Sequence, residues 1–60
     1  MTIEEAIKQG KEFKAALVFA CIAQDFELMY KFQRARVGFE MTLKKDHDDN
    51  FMNEYYAAVD

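Results

Sequence analysis

The residues with the greatest chemical capacity lie together in one short polar segment, residues 46–50. It holds the single histidine of the chain, His47, between carboxylates at alternate positions, which is how calcium-binding loops begin. Counted from Asp46, such a loop needs a glycine at position six and a glutamate at position twelve, but the chain has Phe51 and Ala57 there. We therefore expect no metal site and no cofactor, and the segment is typical of a solvated loop that caps a helix.

The single cysteine, Cys21, lies within the longest apolar run, the nine residues 15–23. A nucleophilic cysteine needs a base or cation to stabilise its thiolate, and the nearest basic residue in the sequence is Lys14. We expect a buried, protonated thiol that packs as a small apolar side chain. The chain also lacks serine and has only two glycines, so serine triads and glycine-rich phosphate loops are excluded. No catalytic residue is assigned, and the protein is predicted not to be an enzyme.

Aromatic and basic residues alternate over residues 30–36, a pattern suited to stacking on bases and contacting phosphates of a single strand. The candidate nucleic-acid contacts are Tyr30, Phe32, Arg34 and Arg36. The formal net charge of −3 opposes binding to a polyanion. A nucleic-acid-binding module is therefore an alternative function and not the preferred one.

A first helix is predicted from the start of the sequence, because Thr2 and Glu5 have the spacing of a capping box. Apolar or small residues then recur at helical spacing at Ile3, Ala6, Ile7, Gly10, Phe13, Leu17 and Cys21. In the second half of this segment the polar side is replaced by Val18, Phe19 and Ile22. We expect this half of the helix to be enclosed on more than one side.

Residues 26–43 fit two templates. Apolar and polar residues alternate along the segment, and Gly38 could take the left-handed position of a bulged turn, which together predict a β-hairpin. The same segment also forms two helical stripes on opposite sides, one with Leu28, Phe32, Ala35 and Phe39 and one with Phe26, Tyr30 and Val37. Good helix formers make up 32 of the 60 residues, so we favour a helix that Asp25 caps and Gly38 ends.

Residues 44–50 are predicted to form an exposed loop, and residues 51–59 a last short helix that Asp48, Asp49 or Asn50 caps. The sequence thus predicts one all-α domain over residues 1–60, a small bundle of two to three helices. The alternative is an α+β fold with a central β-hairpin over residues 26–43. The longest apolar run is about half of the ~20 residues that cross a bilayer, so we expect no membrane partner and a cytoplasmic location.

The apolar residues lie on more helix faces than one small core can cover, which predicts a protein partner and a homodimer. The candidate apolar contacts are Phe26, Tyr30, Val37, Phe51, Tyr55 and Tyr56. Residues 46–60 carry five carboxylates and no lysine or arginine, and four of them, Asp46, Asp48, Asp49 and Glu54, form a candidate acidic binding face. These carboxylates could stand in for phosphates on a basic surface of the partner.

The preferred function is a small, non-enzymatic regulator or inhibitor that binds another protein. Its size and its lack of catalytic groups are typical of the host-directed or anti-defence proteins of viruses and phages, which would act in the host cytoplasm. A structural subunit of a larger assembly is a further alternative, which predicts obligate co-assembly and insolubility of the isolated chain.

Overall fold

The computed structural model describes all residues, 1–60, as three helices, α1 (Ile3–Ile22), α2 (Phe26–Asp46) and α3 (Asp49–Val59). The short connection 23–25 makes α1 and α2 an antiparallel hairpin, and α3 turns back from the end of α2 to run beside the first half of α1. The all-α prediction is confirmed. The β-hairpin alternative over residues 26–43 is wrong, because the whole segment is helical. The helix is stabilised by packing of Phe39 on Phe13, whose ring centroids lie 5.7 Å apart.

Each helix begins at a capping side chain that the sequence identified. The hydroxyl of Thr2 accepts a hydrogen bond from the Glu5 amide at 3.2 Å, and the Glu5 carboxylate accepts one from the Thr2 amide at 2.9 Å, which lowers the pKa of Glu5. Asp25 accepts from the amide of Leu28 at 3.0 Å. Asp48, one of three candidates, caps α3. These local signals place the starts of α1 and α2, whereas α3 begins at Asp49, two residues before the predicted start at Phe51.

The predicted end of the second helix is wrong. Helix α2 continues through Gly38 to Asp46, so residues 44–46 of the expected loop are helical and the turn before α3 is only two residues long. The continuation is stabilised because Phe39 and Leu43 extend the inward face of α2, and Leu43 is buried in the core. The turn itself carries a parallel stack of the His47 and Phe51 rings, whose centroids lie 3.8 Å apart.

The core lies at one end of the hairpin. Its buried residues are Ala6, Gly10, Leu43, Met52, Tyr55 and Val59. Helix α3 has 11 residues and is about 16 Å long, whereas the hairpin helices are about 30 Å long, so α3 covers only half of the hairpin. Over residues 15–36 the single buried residue is Ala20. The radius of gyration is accordingly 12.0 Å, against about 10 Å for a compact chain of this length.

A polar network fixes α3 against α2. Tyr55 is fully buried, and its hydroxyl donates a hydrogen bond of 2.8 Å to Glu40 Oε2. The same oxygen accepts from Arg36 Nε at 3.0 Å, and Arg36 Nη2 donates to Asp60 Oδ1 at 2.7 Å. Burial and the bond to the carboxylate raise the pKa of Tyr55. Every buried side-chain nitrogen and oxygen has a hydrogen-bond partner, so burial of this network leaves no polar side-chain atom unpaired.

Helix α3 meets α1 at two further contacts. Lys14 Nζ donates to the carbonyl oxygens of Val59 at 3.2 Å and Asp60 at 3.5 Å, which places a cation at the negative end of the α3 dipole. Gly10 lies against Tyr55 and Val59 so closely that a Cβ atom would be 2.5 Å from the phenol oxygen and 2.8 Å from Val59 Cγ2. Gly10 therefore sets the distance between α1 and α3.

The two glycines provide a matched test of this packing. We expect Gly10→Ala to lower the free energy of unfolding by about 1–3 kcal/mol, since the added methyl group overlaps with Tyr55 and Val59. Gly38 is also helical, but a Cβ atom added there would have no neighbour within 4 Å, so Gly38→Ala should raise that free energy by about 0.5–1 kcal/mol. Urea denaturation measures both values. Equal stabilisation by both substitutions would contradict the close approach at Gly10.

The buried phenol predicts a loss of stability in alkali. Tyr55 faces Glu40, Arg36 and Tyr56, and its folded pKa is raised above the unfolded value of about 10. Its contribution is fully present below pH ~10 and is lost as the pH rises further, because the unfolded chain then releases a proton that the folded chain retains. The free energy of unfolding should fall by up to about 1.4 kcal/mol per pH unit.

Urea denaturation between pH 8 and 11.5 measures this slope. Tyr55→Phe should reduce this slope by the contribution of one proton. At neutral pH the substitution should lower the free energy of unfolding by about 1 kcal/mol, because the hydrogen bond to Glu40 is lost. Parallel pH curves for wild type and Tyr55→Phe would contradict the assignment.

Candidate functional site

Two stripes of exposed apolar side chains run along the hairpin. The α1 stripe consists of Ala15, Val18, Phe19 and Ile22, and the α2 stripe consists of Phe26, Tyr30, Val37 and Met41. Their large members are 45–78% exposed, with Ile22 at 78% and Phe26 at 75%. Side chains of this kind usually mark a binding surface when they are contiguous.

The two stripes face in opposite directions. The inward direction of each hairpin helix is given by the contact between Phe13 and Phe39. At about 100° per residue, Ile22 lies 180° around α1 from Phe13, and Tyr30 lies 180° around α2 from Phe39. Each stripe therefore occupies the outer side of its own helix, and the hairpin presents one apolar edge on α1 and another on α2.

The α1 stripe is the surface that the sequence did not identify. Together with Lys11 and Lys14 it lines a shallow groove of about 470 Å³. The expectation that this half of the helix is enclosed is wrong, because α3 ends beside Lys14 and leaves the following two turns uncovered. Cys21, predicted to be buried here, is exposed for the same reason.

The six predicted apolar contacts are divided by the structure. Phe26, Tyr30 and Val37 lie on the α2 stripe as predicted, and Tyr56 lines a groove of about 140 Å³ with Val37 and Met41. Tyr55 is excluded, since it is fully buried in the chain's own core. The sixth, Phe51, is half-buried between the core and the His47 ring.

The four predicted acidic contacts are all exposed but do not form one face. Asp46 ends α2, and the Asp48 carboxylate already accepts the hydrogen bond that caps α3. Asp49 precedes Tyr56 by two turns and so lies on the same side of α3, whereas Glu54 lies about 160° around the helix from Tyr56. Asp49 alone therefore shares a side of α3 with Tyr56, which lines the groove beside the α2 stripe.

The four candidate nucleic-acid contacts also separate. Arg36 is only 18% exposed because it pairs with Glu40 and Asp60, and Phe32 is half-buried on the inward side of α2. Tyr30 and Arg34 remain at the surface, where Arg34 Nη1 donates to the Tyr30 hydroxyl at 3.1 Å and its guanidinium lies 5.7 Å from the ring centre. Two of the four residues are therefore withdrawn from the surface that would bind a strand.

The chemically reactive residues do not converge. His47 follows α2 and lies near the start of α1, whereas Cys21 lies in the last turn of α1, so they occupy opposite ends of the hairpin. No three side chains of histidine, cysteine, aspartate or glutamate are grouped as metal ligands. The arrangement offers apolar contact surfaces and no assembled catalytic group.

Comparisons with known proteins add no constraint on function. No family model matches the chain, and neither the curated proteins nor the solved structures give a significant match. None of the three helices combines the length and the apolar character that a membrane crossing requires.

Two valines provide a matched comparison of the exposed α2 stripe with the core. Val37 is 45% exposed on the α2 stripe, whereas Val59 is 3% exposed between α3 and α1. We expect Val37→Ala to change the free energy of unfolding by no more than about 0.5 kcal/mol, and Val59→Ala to lower it by about 2 kcal/mol. Thermal or urea denaturation of dilute protein measures both. A large decrease in the free energy of unfolding on Val37→Ala would show that the α2 stripe has a structural role within the chain.

Proposed function

We propose that the protein is a small, non-enzymatic regulator or inhibitor that binds a partner protein through the α2 stripe. The observation that carries the proposal is the position of the core, which leaves residues 15–36 with one buried residue and two outward apolar stripes. A soluble chain that keeps such side chains exposed gains stability when another surface removes them from water. The proposed site of action is the cytoplasm, of the host where the source is a virus or phage.

The composition of the α2 stripe supports a protein partner. Phe26, Tyr30 and Met41 belong to the residue types that are enriched in the centres of protein interfaces. The stripe spans about 22 Å along α2, from position 26 to position 41, and its intervals of four, seven and four residues keep its members on one side of the helix. An amphipathic helix of the partner, with its apolar side towards α2, matches this length and spacing.

Charged residues lie at and near the α2–α3 groove. Glu40 and Lys44 of α2 line the groove, and Asp49 shares the side of α3 that carries Tyr56. Exposed charges at the rim of an interface act mainly on the association rate and on specificity. We therefore assign the affinity to the apolar stripe and a steering role to the acidic residues Asp46, Asp48, Asp49 and Glu54.

Capture of the partner from source cells, followed by titration with the purified partner, tests this function. Val37→Glu and Met41→Glu should each weaken binding at least about tenfold, since a carboxylate would be buried against apolar side chains. Thr42→Glu adds the same charge on another side of α2 and should bind like wild type. Equal binding by all three variants would contradict the assignment of the α2 stripe.

A second arm separates steering from affinity. Replacing Asp46, Asp48 and Asp49 by Asn and Glu54 by Gln should lower the association rate and its dependence on salt, with a small change in dissociation rate. Asparagine at position 48 can still cap α3, so the fold should be retained. Stopped-flow kinetics at two salt concentrations measure the effect. An unchanged salt dependence would remove the acidic residues from the proposal.

A further inference from the structure

We propose that the segment of the partner that covers the α2 stripe is an amphipathic helix with carboxylates on its flanks. This inference rests on the proposed function and adds the charge of the partner to it. It is based on three exposed cations of α2, Arg34, Lys44 and Lys45, which we call the basic rim.

The basic rim follows the α2 stripe along the helix. At about 100° per residue, Lys44 lies at the same angle as the first residue of the stripe, and Arg34 and Lys45 lie about 20° and 40° beyond Met41. The rim extends over about 16 Å of the helix. Arg34 is in contact with the stripe itself, because its Nη1 donates to the Tyr30 hydroxyl at 3.1 Å.

The charge of the basic rim is not compensated within the chain. The structure has three ion pairs, and none of them includes a residue of the rim; they are Lys31–Glu27, Arg36–Glu40 and Arg36–Asp60. Between positions 28 and 45 the single carboxylate of α2 is Glu40, which is only 16% exposed and also accepts from the Tyr55 hydroxyl. The exposed charges of α2 over this range are therefore all positive.

The acidic residues near the end of α2 point to other partners or directions. Asp46 lies about 100° around the helix from Lys45, and the Asp48 carboxylate accepts the hydrogen bond that caps α3. Arg34 and Lys45 lie on the side of the stripe away from Glu40, whereas α3 packs on the side of Glu40. A partner's carboxylates can therefore reach these two cations without meeting the acidic residues of α3.

An acidic helix fits this surface better than a nucleic acid or an anionic membrane does. The apolar side of a helix can cover Val37 and Met41 while carboxylates on its flanks meet the rim. Phe32 and Arg36, which a strand would need in addition to Tyr30, are withdrawn from the surface. The net charge of −3 opposes an extended polyanion, whereas a single helix contacts the rim alone.

Two helical peptides of matched design test the charge of the partner. Both have about 21 residues, leucine along one side and a side-chain staple on the opposite side, so that both are helical before binding. One carries glutamate on both flanks and the other carries lysine. We expect the glutamate peptide to bind at least about tenfold more tightly in isothermal titration calorimetry, because the lysine peptide brings like charges to the rim.

Charge reversal of the rim provides the matched variants. Arg34→Glu combined with Lys45→Glu should reverse the preference, so that the lysine peptide binds at least about tenfold more tightly than the glutamate peptide. Lys8→Glu combined with Lys11→Glu makes the same change of net charge on the outer side of α1 and should retain the wild-type preference. Circular dichroism with a urea midpoint verifies that each variant is folded.

Equal affinity of the wild-type chain for the two peptides, or no binding of the glutamate peptide, would overturn the proposal. Tighter binding of a single-stranded oligothymidylate or of phosphatidylserine vesicles than of the glutamate peptide would also overturn it, and would assign the rim to nucleic acid or to lipid.

Val37→Asn separates this proposal from the proposed function, because it makes the stripe polar without adding a charge. If the two peptides bind wild type equally and Val37→Asn weakens both, the α2 stripe remains the binding surface and only the charge assignment fails. If the glutamate peptide binds Val37→Asn as tightly as wild type, the α2 stripe is not the binding surface and the proposed function fails with it.

Discussion

The position of the Tyr55 phenol determines the arrangement of the three helices. The ring lies against the backbone of α1 at Gly10, where no Cβ atom intervenes, and its hydroxyl donates to Glu40 on α2. Glu40 in turn accepts from Arg36, whose guanidinium reaches Asp60 at the end of α3. Because a buried hydroxyl without a partner is costly, this set of contacts permits little displacement of α3 along the hairpin. A close steric contact and a satisfied hydrogen bond therefore fix one orientation of the last helix.

The same contact determines which surfaces remain open. With Tyr55 seated at Gly10, an 11-residue helix ends beside Lys14, and the hairpin continues for about half its length without a third helix. The two outer stripes are therefore a consequence of where the core is built. Substitutions in the stripes change exposed surfaces, and substitutions at the Tyr55 contact change the fold that positions these surfaces.

Local signals in the sequence predict the caps of α1 and α2 and three candidate caps for α3, but they do not predict the tertiary contacts. Thr2, Asp25 and Asp48 are caps that bond an amide three residues later, so each is legible from adjacent residues. The extent of α2 was not legible, because packing of Leu43 outweighs the weak stop signal of Gly38. The contact of Gly10 with Tyr55 joins residues 45 positions apart, and no periodic pattern reports it. For the same reason the sequence predicts an enclosed surface where the α1 stripe is exposed, since this exposure depends on the length of α3.

Opposite stripes on one hairpin have a consequence for binding. Each stripe lies about 180° around its own helix from the contact between Phe13 and Phe39, so a surface that covers one stripe leaves the other exposed. A partner on the α2 stripe therefore removes only part of the exposed apolar area from water, and the α1 stripe remains free for a separate contact.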